Sequence, residues 1–169
     1  ISSDVYTSAP EILNVASLSI EDSESSALRF GAKVTLEQRV AALEYGFLMC
    51  ETEELENSNT ELTLENTSVS FVRGVAYNRD EGIDDTFSTD DEGFTYVGIL
   101  TNIPVENYVS YITARPYIIY DANGTLTYVY GNTHSNSIYR LSKTLLGTDL
   151  SEENRTIIKG YVLDAENAI

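Results

Sequence analysis

Tryptophan is absent from this chain, cysteine and histidine occur once each, and proline only three times in 169 residues. Each scarcity removes a class of chemistry. A lone Cys50 excludes an internal disulfide and, with His134 as the sole imidazole, leaves too few soft ligands for a zinc site. Any Ser-His-Asp or Cys-His device would have to use His134, and no Gly-x-Ser-x-Gly elbow accompanies it. Basic residues are also few: 10 against 27 acids give a net charge of −17. With no basic stripe to displace counterions, a phosphate backbone or an anionic membrane surface is not a partner. No apolar run approaches the roughly 18 residues that span a bilayer. The chain opens at Ile1 rather than Met, so a mature fragment or a piece of a longer protein is expected.

What is present reads as one mostly β domain. The first ten residues, small and polar up to Pro10, read as a flexible arm, and residues 11–169 as a single domain. Glu11 to Ile20 is a candidate first strand. Leu28, Phe30, Ala32, Val34 and Leu36 then alternate with polar neighbours, the period of a strand with one buried face. Glu44 to Cys50 and Val69 to Asn78 also have strand composition. The acidic stretches 51–68 and 79–93 read as surface loops, the first with one helical turn near Glu53.

Residues 94–130 supply three more strands. Asp121-Ala-Asn-Gly-Thr125 is expected to form a type I turn closed by a left-handed glycine, which pairs Asp121 with Thr125. That register sets Ile118 against Tyr128 and Pro116 against Tyr130, burying both tyrosines. Tyr111, Arg115 and Tyr117 then form an outward patch. A slip of one residue would move Tyr128 and Tyr130 to the side of Arg115 and Tyr117. After Gly131 the apolar period lengthens to three and four, predicting helices near 135–147 and 151–167. Strands first and helices last favour an antiparallel sandwich of the immunoglobulin or fibronectin type with two C-terminal helices.

Five fragments in order, Leu28-Arg29-Phe30, Glu44-Tyr45-Gly46-Phe47-Leu48, Asn102-Ile103-Pro104 with Asn107-Tyr108, Ala114-Arg115-Pro116-Tyr117, and Ser137-Ile138-Tyr139, carry a family likeness. The chain resembles a β-sandwich accessory module of large exported surface and carbohydrate-degrading proteins of gut Firmicutes. It departs from that pattern at Asn136, where the module has Arg, and in the acidic insert at 79–93. The resemblance implies a secreted or surface-attached bacterial module beside neighbouring modules, and it transfers no catalytic residue.

Three binding chemistries remain. Asp80, Asp84, Asp85, Asp90 and Asp91 crowd one loop and could hold a structural Ca²⁺, a hard cation that takes clustered carboxylates; no other cofactor is expected. The alternative for so much acid is a solvated loop. Tyr111 and Tyr117 flanking Arg115 could stack on a polysaccharide or meet a cell-surface protein, and the plain alternative is Arg115 packed over a ring. A glycosidase would need two carboxyls on rigid elements, whereas most acids here fall in loops. The expected function is therefore a non-catalytic extracellular spacer or adhesion module, with glycan binding second and glycoside chemistry a remote third.

Overall fold

A computed structural model describes residues 3–19, 27–84, 87–90 and 93–169. The strands are β1 (Glu11–Ser19), β2 (Ala27–Val34), β3 (Ala42–Glu51), β4 (Val72–Asn78), β5 (Ile83–Asp84), β6 (Phe87–Asp90), β7 (Gly93–Thr101), β8 (Ile112–Ala122), β9 (Thr125–Tyr130) and β10 (His134–Asn136). The helices are α1 (Leu36–Ala41), α2 (Thr52–Ser58), α3 (Ile138–Leu146) and α4 (Glu152–Ala168). Every strand pairing is antiparallel. One sheet runs β1-β2-β7-β6. The other runs β8-β3-β4-β5, with β9 and β10 sharing the far edge of β8, β9 along its second half and β10 along its first.

The expected antiparallel β fold with two C-terminal helices is what the chain adopts. Alternation in β2 places Leu28, Phe30, Ala32 and Val34 inside, where they meet Tyr45, Phe47 and Met49 of β3 and Ile118 and Tyr120 of β8. Each such buried side chain contributes roughly 1.5–3 kcal/mol relative to exposure. The sheets come close at Gly98, where a Cβ would stand 2.6 Å from the Phe47 ring. Tyr96 of β7 spans the gap, stacking 4.8 Å from Tyr45 and donating to the Gly46 carbonyl at 3.2 Å.

Local signals set the helix starts. Thr35 and Gln38 form a reciprocal capping box at α1. Ser137 and Ser151 accept from backbone N–H groups three residues on and open α3 and α4. Ile138 and Leu141 of α3 and Tyr161 and Ala165 of α4 complete the main core, with Tyr161 edge-on to Tyr108 at 5.7 Å. Among the described residues no helix is long and apolar enough to cross a membrane.

Three expectations are corrected. The N-terminal arm is docked over its described part: Ser3–Thr7 is a 3-10 helix, Val5 is buried, and Tyr120 Oη donates to the Ser8 carbonyl at 2.7 Å. The acidic stretch after Arg79 contains paired strands, since Ile83–Asp84 bonds to β4 and Phe87–Asp90 to β7. The hairpin has a two-residue turn, with Ala122 opposite Thr125, Ile119 opposite Tyr128 and Tyr117 opposite Tyr130. Asn123 and Gly124 both take positive φ, 53° and 87°, the primed turn that matches strand twist. This is the one-residue slip, so Tyr128 and Tyr130 leave the main core.

Candidate functional site

The outer face of the β8 sheet carries the chemistry, because it is only partly solvated. Residues 59–71, following α2, fold back over it and bury Leu62 against Leu48, Cys50, Tyr117 and Ile119 in a second apolar cluster. Burial comes first in pushing the Cys50 thiol up to about 11, with Glu54 and Glu51 adding to it.

Tyr117 links this cluster to a polar network that opens to solvent at Arg73. Glu44, on β3, is almost wholly buried. Arg73 Nη2 donates to its Oε2, Tyr117 Oη donates to the same oxygen at 2.6 Å, and Asn78 Nδ2 donates to Oε1 at 2.8 Å. Arg73 Nε closes the ring on Tyr117 Oη at 3.0 Å. Burial raises the Tyr117 phenol well above its usual range, and its hydrogen bond to Glu44 adds to the rise. A buried carboxylate with three donors is satisfied in place and turned to structure.

The expected outward patch does not form. Tyr117 is fully buried in that network, whereas Tyr111 is 41% exposed just ahead of β8. Arg115 is half-buried and stacks over Tyr130 at 4.9 Å, as the packed alternative anticipates. Its Nε donates to the Gly131 carbonyl and its Nη1 to the Leu62 carbonyl, at 2.9 and 3.1 Å. Tyr130 Oη in turn accepts from Leu64 N–H and donates to Glu65. Arg115 and Tyr130 thus pin the covering segment to the sheet.

The acid cluster is also differently employed. Asp84 pairs with Arg39 at 2.7 Å, and Arg39 lies over the rings of Tyr77 and Phe94, tying α1 to both sheets. Asp80 stands 3.7 Å from Arg79, which also binds Asp121 at 2.9 Å. Asp85 and Asp91 lie outside the described residues, and the Asp90 side chain is not described. Among the described residues no three His, Cys, Asp or Glu side chains converge as metal ligands.

Three surface recesses stand near these groups. A largely apolar cleft of about 300 Å³ opens at the end of β3, between Phe71, Leu100 and Ile103. An acidic recess of about 720 Å³ joins Tyr111 to Glu51, Glu53 and Glu56. A polar hollow of about 440 Å³ is framed by Thr113 and Arg115 of β8, Ser135 of β10, Thr52 of α2, and Thr60 to Leu62 of the covering segment. Sequence reasoning found Arg115 but missed its neighbours, because β10 is too short to announce itself and residues 60–62 read as plain loop. Compared with family models, curated proteins and solved structures, the chain matches none.

Proposed function

We propose that the chain is a non-catalytic extracellular module, a spacer or adhesion domain within a larger bacterial surface protein. The observation that carries this reading is the strand order. β1-β2-β7-β6 facing β9/β10-β8-β3-β4-β5 follows the A-B-E-D and G-F-C-C′-C″ succession of an immunoglobulin variable-type sandwich. Such sandwiches host many roles, so the fold supplies the scaffold and the surface must supply the function. The buried Glu44 and Tyr117 favour a structural part, since they satisfy each other and the exposed Arg73. The high acid content suits solubility outside the cell.

Antibodies raised against the domain test the compartment directly. They are expected to label intact producing cells, with the label removed by brief protease shaving. Labelling that appears only after lysis would overturn the reading. Glycan binding stands as the second reading, favoured by the polar hollow at Thr113.

A further inference from the structure

The hollow on the outer face of the β8 sheet is built from hydroxyls in contact. Thr113 Oγ1 lies 2.7 Å from Thr52 Oγ1 and 2.8 Å from Ser135 Oγ, linking α2, β8 and β10. Three hydroxyls hold three protons, and their two contacts consume two, so one O–H remains over for a visitor. Thr113 itself is 5% exposed, so this relay is anchored in the sheet.

Beside it, Arg115 is short of partners in a way the charge balance makes unusual. Although acids outnumber bases 27 to 10, no carboxylate among the described residues pairs with it. Its two hydrogen bonds to carbonyls use Nε and Nη1 and leave Nη2 without a protein partner. The guanidinium is held still by those bonds and by the Tyr130 ring, so its free donors are pre-aimed. Glu61 and Asn132 line the same hollow and add acceptors and a further donor pair.

We propose that this hollow binds a neutral sugar ring. An anion would meet the Glu61 carboxylate and the field of a chain carrying −17. A cation would meet Arg115. A neutral polyol offers hydroxyls that accept from Arg115 and donate to Glu61 within one ring, and its C–H face can lie on the half-buried Leu55 at the wall. The volume, about 440 Å³, falls in the usual range of small-ligand sites, roughly 300–1,000 Å³. This deepens the glycan-binding reading. It rests on the extracellular assignment only for where such sugars are met, so binding by the purified chain and labelling of cells can fail separately.

The test is amide NMR of the isotope-labelled chain with the methyl glycosides of glucose, galactose and mannose, and with methyl glucuronide as the charged arm. At least one neutral glycoside is expected to bind in the millimolar range and to shift amides around Thr52, Thr113, Asn132 and Ser135. Thr113→Val, which unties the Thr52 and Ser135 hydroxyls, and Asn132→Ala, which removes a lining amide, should each weaken it by about tenfold, whereas Thr113→Ser should retain it. Asn132 is exposed, so its variant keeps the test alive if Thr113→Val fails to fold. The proposal is overturned if none of the three neutral glycosides shifts those amides, if the glucuronide binds more tightly than all of them, or if both weakening variants bind as the parent does.

Discussion

Tyrosine is the residue that does most of the work in this interior, and it gives the fold a pH limit. Tyr45, Tyr96, Tyr117 and Tyr120 are all fully buried. Burial pushes Tyr45 up to about 12, and burial with the Glu65 hydrogen bond pushes Tyr130 to about 12 as well. An unfolded chain releases phenolic protons near pH 10, while the folded one holds these until about 12. The folded state therefore binds more protons in that window. Its stability is full below pH 10 and drains as pH climbs toward about 12. In an absorbance titration the phenols of Tyr45 and Tyr130 should stay protonated past pH 10 and ionise together with the loss of circular dichroism. Twelve phenols titrating as one group with the fold intact would contradict this.

Among the elements, the β8–β9 hairpin decides which tyrosines are inside. Asn123 and Gly124 are both left-handed, and nothing lies within 4 Å of where a Gly124 Cβ would be. Gly124→Ala therefore creates no clash and costs only the backbone strain, about 1 kcal/mol. A urea titration should show a lowered midpoint with an unchanged slope. Part of this layer of structure was legible from the sequence: period two marks β2, and the apolar spacing of three and four marks α3 and α4. The hairpin register was not. Both a two-residue and a three-residue turn fit Asp-Ala-Asn-Gly, and the choice depends on Asn123 accepting positive φ. Nor was the second cluster, since Leu62, Leu64 and Phe71 are spaced too irregularly to show a face. Arg115 stood out as a cation among aromatics, whereas Thr52 and Ser135 join it through pairings between distant strands and helices.

At the scale of the whole molecule, −17 is a self-repelling charge. At physiological salt the screening length contracts to about 8 Å, so raising sodium chloride from low concentration should raise the melting temperature. Magnesium and calcium at matched ionic strength should act alike if screening is the whole effect. A gain specific to calcium and reversed by EDTA would point instead to an ion bound by the acidic stretch 80–91.

The two ends of the described chain are secured by different means, and that difference has a mechanical consequence. β1 is laced to β2 by a ladder of main-chain bonds. α4 adds no strand to either sheet; it is held by the Tyr108–Tyr161 contact, a small apolar face, and Arg155 reaching the carbonyls of Leu146 and Thr148. Tension applied between the ends would peel α4 away one contact at a time, while the ladders must shear together. Its 17 residues, drawn from helix to extended chain, lengthen by about 30 Å. A chain built this way yields a fixed slack at low load and keeps its paired strands, and any ligand held beside Thr113, intact.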